Sequence, residues 1–137
     1  MTATRDDIVT EAKTWLGTPW HHAADVKGAG VDCAMFLVRV YCDLGLAPLF
    51  DPRPYAMQWY LHQGQPLFLE WLAKYAHRVE VALPGDVIMF NFGRHAAHGA
   101  IIVDEDTMIH ANRSVRRVTL SFRHHLDAKL DSAWSVF

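Results

Sequence analysis

Apolar positions recur at helical spacing twice in the first third of the chain, then give way to short strand-like runs. Ile8, Val9, Ala12, Trp15 and Leu16 form one apolar face, the three-to-four-residue repeat of an amphipathic helix. Thr4, with Asp7 three positions on, fits an N-cap with an acidic first turn, and Gly17 follows the end. The pattern predicts a helix over 5–16. A loop with Pro19, Gly28 and Gly30 runs from Thr18 to Asp32. The apolar run that begins at Cys33 then predicts a second helix, ending at Leu44 before Gly45.

Pro48, Pro52 and Pro54 make residues 46–56 a stiff, irregular connection. Short helices are expected over Ala56–His62 and Pro66–Tyr75. Beyond the turn Pro84-Gly85-Asp86 the period changes. Val87-Ile88-Met89-Phe90 has no polar alternation, which predicts a strand buried on both faces. Further strands are expected over His98–Asp104, Thr107–Ala111, Arg116–Ser121 and Ala133–Phe137, with a short helix between Ser121 and Leu130. Helices first and strands second predict an α+β fold, N-terminal helices packed on an antiparallel β-meander, in one domain over 1–137.

Composition narrows the function classes. The 137 residues are half hydrophobic and carry a formal charge of −2, without the basic stripe of a nucleic-acid-binding protein. Arg113, Arg116 and Arg117 are the only basic cluster; they suit a solvated strand face or an acidic ligand. No apolar run is long enough to span a bilayer, so no membrane partner is expected. The opening Met-Thr-Ala-Thr-Arg-Asp-Asp lacks the pattern of a signal peptide. The expectation is a chain made in the reducing cytoplasm and carried outward, if at all, by something else.

Cys33 is the strongest chemical candidate. A thiol where a glycine-bearing loop turns into a helix meets unpaired backbone N–H groups and the positive end of the helix dipole. Both favour the thiolate, the nucleophilic form. Cys42, nine positions on, points to the other side of the same helix and is expected in the core. A thiolate needs a base, and the base needs a partner to hold its ring and tautomer. His98 and His110, at the ends of neighbouring strands, could fill those roles. They share a face only if the strands pair with an even index sum, such as Ala100 opposite His110, which needs an odd-length loop of three or five residues around Asp104-Glu105-Asp106. A zinc site from His95, His98, His110 and Cys33 is the alternative, but no HExxH or paired-cysteine spacing accompanies it. No metal or other cofactor is expected. His21-His22 lies in the loop before Cys33 and is expected to line the cleft.

Together these residues resemble the NlpC family of papain-like cell-wall cysteine peptidases. The matching stretches are Trp15-Leu16-Gly17-Thr18-Pro19-Trp20, Gly30-Val31-Asp32-Cys33, Pro84-Gly85-Asp86-Val87-Ile88-Met89-Phe90, His98-Gly99-Ala100-Ile101-Ile102-Val103 and Met108-Ile109-His110-Ala111. The histidine-rich loop before the cysteine and the absent secretion pattern resemble the phage-tail and gene-transfer-agent branch. The resemblance implies a papain-like fold, Cys33 as nucleophile, His98 as general base and His110 as the ring-orienting residue. It also implies oxyanion or substrate-binding roles around Trp20, Asp32 and His21, and a substrate among peptidoglycan stem peptides, cut after D-glutamate. Phage-like tail or baseplate proteins would be partners, and a phage-like particle would take the chain to the periplasm. Two departures stand out: Trp20 replaces the family's usual tyrosine, and Ala34-Met35 replaces Ser-Gly after the cysteine, removing a hydroxyl. A non-catalytic tail or baseplate binding module and an acyltransferase or amidase are the rival readings.

Overall fold

A computed structural model describes residues 2–55, 67–92 and 95–137, without the side chains of 67, 68, 95 and 96. The helix expected over 56–62 lies outside the described residues. Helix α1 spans Arg5–Lys13. Thr4 and Asp7 form the expected capping box: the Asp7 N–H donates to the Thr4 hydroxyl at 3.3 Å and the Thr4 N–H to the Asp7 carboxylate at 2.8 Å. α1 ends three residues before the expected Leu16. The N–H groups of Thr14, Trp15 and Leu16 donate to carbonyls three residues back, so the last turn tightens instead of continuing the α ladder. Gly17, at φ 84°, then turns the chain away.

Helix α2 spans Cys33–Asp43 with Asp32 as its N-cap. It is buried almost all round, from Ala34 to Val38 and from Val40 to Cys42, as its nearly continuous apolar sequence requires. Within the loop before it, Asp25–Val26 (β1) and Gly30–Val31 (β2) pair as a small antiparallel ribbon. Helix α3 spans Leu67–Tyr75. Among the described residues no helix is long and apolar enough to cross a membrane.

The remaining strands are β3 (His77–Val79), β4 (Val87–Phe92), β5 (His95–Ile102), β6 (Thr107–Asn112), β7 (Arg117–Phe122) and β8 (Leu130–Ser135), with a 3-10 segment over Arg123–Lys129. They form an antiparallel sheet in the order β3-β8-β4-β5-β6-β7. β4 to β7 make the expected meander. β8 returns to lie between β3 and β4, a long-range pairing that local hydrophobic pattern does not encode. β3 is an unexpected short edge strand. β4 is buried on both faces: Val87 and Met89 join the core that holds α1 and α2, while Ile88 and Phe90 pack with Ala100, Ile102 and Met108 on the other side.

The Pro84-Gly85-Asp86 turn locks helices to sheet. Buried Asp86 takes the Arg5 guanidinium at 2.7 Å and the Leu83 N–H at 2.9 Å. The Tyr41 hydroxyl donates to the Gly85 carbonyl at 2.6 Å, tying α2 to the same turn.

Candidate active site

Cys33 is the first residue of α2, half-buried at its mouth. The backbone N–H groups of Cys33 and Ala34 point at the sulfur and lower its pKa, as expected of a helix mouth. Burial nevertheless wins, and the Asp32 carboxylate beside it adds to the effect, so the thiol is pushed well above its usual range. The sequence expectation of a standing thiolate is therefore corrected: the resting sulfur is a thiol, placed to donate to the Ala97 carbonyl at 3.7 Å. That carbonyl sits at an irregularity. β5 pairs Phe90 with His98 but Asn91 with Ala96, leaving Ala97 as the extra residue of a bulge. Bulges of this kind re-aim side chains beside a site.

The two histidines meet as parity requires. Ile101 lies opposite Ile109 and Ile102 opposite Met108, the same even index sum as Ala100 with His110. The hairpin closes over Asp104-Glu105-Asp106, with the Val103 N–H donating to the Thr107 carbonyl at 3.0 Å. His98 Nε2 lies 2.7 Å from His110 Nδ1, and His110 Nε2 lies 2.9 Å from the Ser121 hydroxyl. With Nε2 of each ring protonated, His98 donates to His110 and His110 to Ser121, leaving His98 Nδ1 as a proton acceptor. Both rings are buried. Desolvation lowers His98 to about 3 and His110 to about 4, each helped by a neighbouring imidazole. Phe92 stacks on the His98 ring at 5.1 Å and fixes its plane.

Cys33, His98 and His110 line one cleft of 290 Å³, with Trp20, His22 and Asp32. His21 lies elsewhere: it is exposed, with its Cβ over Gly30. The chain turns at His22-Ala23, with Ala23 at φ 58° and the Ala24 N–H donating to the His21 carbonyl at 3.2 Å, and it is His22 that faces the cleft. Trp20 is held by its N–H to the Arg116 carbonyl at 2.8 Å, and the Arg113 guanidinium covers its ring at 5.2 Å. Asp32 is buried, and its acceptors are engaged. Oδ1 takes the Met35 N–H at 2.9 Å; Oδ2 takes the Ala23 N–H at 2.7 Å and the Tyr55 hydroxyl at 2.5 Å. Tyr55 was not singled out by the sequence, since it sits in the proline-rich connection without periodic pattern. Its anchor is Arg53, which bonds the Ala23 carbonyl and pairs with Asp25 and Asp51.

Residues 17–130 match the NlpC/P60 family. The chain belongs to the NlpC/P60 family. Solved structures of this family share its fold. The NlpC/p60 domain of the peptidoglycan hydrolase SagA aligns at TM-score 0.66 and 22% identity, covering 97% of this chain and 99% of that one. NlpC1 from Trichomonas vaginalis aligns at TM-score 0.70 and 18% identity, over 96% of this chain and 44% of that one. The peptidoglycan hydrolase RipB from Mycobacterium tuberculosis aligns at TM-score 0.62 and 17% identity, over 97% and 64%. The sequence matches none of the curated proteins. This NlpC/P60 chain thus has the helix-then-sheet order expected of a papain-like fold, and it spans under half the length of NlpC1.

Proposed function

We propose that the chain is a cysteine peptidase that hydrolyses peptidoglycan stem peptides at the D-glutamyl–diamino acid bond, as a component of a phage-tail or phage-derived particle acting in the periplasm. The observation that carries the chemistry is the hydrogen-bonded His98–His110–Ser121 chain opening on the same cleft as Cys33. The bond and the particle rest on the family resemblance, the particle through the His21-His22 segment ahead of the cysteine.

In this reading the resting pair is neutral. His98 Nδ1 takes the Cys33 proton as the sulfur attacks the amide carbonyl, forming the C–S bond. His110 holds the His98 ring, and Ser121 holds His110. The oxyanion falls to the Cys33 N–H with the Trp20 indole N–H or a loop N–H, each donor being worth about 3–4 kcal/mol. His98 then protonates the leaving amine as the C–N bond breaks. It next takes a proton from water, which attacks the thioester and frees the thiol.

An acyltransferase acting on lipid fits less well. Among the described residues the apolar cavity between α2 and α3 measures 60 Å³, against 290 Å³ for the cleft that holds Cys33. The test is digestion of defined muropeptides with mass analysis of the products. New D-glutamyl and diamino acid ends are expected; cleavage elsewhere would refute the bond, and no cleavage would favour a binding module.

A further inference from the structure

β7 closes one edge of the sheet, and part of that edge lies open. Segment 17–20 runs along its start: the Trp20 N–H donates to the Arg116 carbonyl at 2.8 Å, the Val118 N–H to the Thr18 carbonyl at 2.9 Å, and the Gly17 N–H to the Val118 carbonyl at 3.0 Å. Main-chain groups alternate sides along an antiparallel strand, so the N–H and C=O groups of Leu120 and Phe122 face the same way as those of Val118. Among the described residues no strand pairs with them there, and the Leu120 carbonyl takes the Thr119 hydroxyl at 3.5 Å. The side chains follow the same course. Val118, Leu120 and Phe122 share a face and pass from 1% through 50% to 75% exposed, so the apolar row of the core runs out into solvent. Open edges are ordinarily guarded by a charge, a proline or a bulge. Leu120-Ser121-Phe122 has neither charge nor proline, and β7 pairs with β6 without a shift. The opposite edge, β3, is three residues long and carries His77 and Arg78.

The two ends of this edge differ in charge. Exposed Arg116 and Arg117 stand at its start. The exposed Asp104-Glu105-Asp106 hairpin stands beside its end, where Phe122 lies opposite Thr107 and the Arg123 N–H donates to the Asp106 carbonyl at 2.8 Å. An acidic strand from another protein would suit the first end and be repelled at the second. A strand that runs the other way with the same ends suits both, and β7 of a second copy is that strand. We propose that β7 is a homodimer edge, on which two copies pair antiparallel about a twofold axis at Ser121. Leu120 of each copy exchanges N–H and C=O bonds with Phe122 of the other, and their side chains pack together on the face that Val118 shares with the core. The basic end of each copy then lies toward the acidic end of the other. The lengths also match: the open stretch starts just past segment 17–20, and the incoming strand leaves the edge at Phe122, where the 3-10 segment begins. The Ser121 hydroxyl stays on the opposite face, against His110. A contact of this kind uses one patch twice and closes on itself. It is short, so the dimer is weak.

Sedimentation velocity over a range of chain concentrations tests this. It needs no turnover, so its outcome is separate from that of the peptidase reading. The unaltered chain is expected to pass from monomer to dimer as concentration rises, with the dimer weakened by added salt. Phe122→Lys, a change at an exposed side chain, is expected to stay monomeric, with circular dichroism matched to the parent. Arg116→Glu/Arg117→Glu and Glu105→Lys/Asp106→Lys each leave like charge at both ends of the edge. Each alone should dimerise about tenfold more weakly than the parent, and a mixture of the two should regain the parent's affinity. An unaltered chain that stays monomeric at every concentration overturns the inference. So does a dimer that survives Phe122→Lys, or a mixture no tighter than its components.

Discussion

At Cys33 two opposing effects act on one sulfur, and their order sets the resting state. The helix-mouth N–H groups pull the thiol down, but burial and Asp32 push it further up. The rate of iodoacetamide labelling should therefore rise about tenfold per pH unit between pH 6 and 9, as the thiolate fraction does below its pKa. A plateau near pH 7 would show a standing thiolate instead. The histidines make the opposite statement about stability. His98 and His110 titrate near 3 and 4 in the fold, against about 6.5 when unfolded. Between those values the unfolded chain binds more protons, so stability is full above pH 6.5 and falls on acidification. The expected loss is about 1.4 kcal/mol per pH unit for each proton taken up on unfolding. Urea midpoints measured from pH 7 to pH 4 should drop, and His110→Gln should flatten the slope; an unchanged slope would contradict the assignment. That Cys33, His98 and His110 come to one cleft was legible from the sequence, because helix mouth and strand ends are local signals; His22 in place of His21, and Tyr55, were not. The pKa order was not, because burial is a property of the packed molecule.

Elements bring these residues together, and their fit is tight beside His98. A Cβ on Gly99 would lie 2.7 Å from a Leu37 methyl on α2 and 3.0 Å from the Met89 sulfur on β4. Gly99 is thus the contact that lets α2 approach β5. Gly99→Ala should cost about 1–3 kcal/mol through overpacking, read as a lowered urea midpoint, and should slow turnover by shifting His98. Full stability and activity would show that the neighbours yield freely. The even register of β5 and β6 was legible from side-chain alternation, since a shared face for His98 and His110 needs an even index sum; which even sum the hairpin takes was not. The bulge at Ala97 was not legible either, because nothing in His95-Ala96-Ala97-His98 marks which residue is extra.

Across the whole molecule, long-range ties hold the cleft's two walls. Arg5 joins α1 to the turn before β4, reaching the Pro84 carbonyl and Asp86. Arg53 fixes the proline-rich connection to the loop before Cys33 and so delivers Tyr55 to Asp32. Neither tie has a periodic signature, so Tyr55 and the return of β8 beside β4 escaped sequence reading, while the helix-then-sheet order did not. The account stands on a sulfur nucleophile served by this assembled cleft. Its most direct measurement is the mass profile of soluble fragments released from purified sacculi by the unaltered chain and by Cys33→Ala, with the variant's circular dichroism matched to the parent. Fragments are expected from the former and none above background from the latter; equal release by Cys33→Ala would contradict the account.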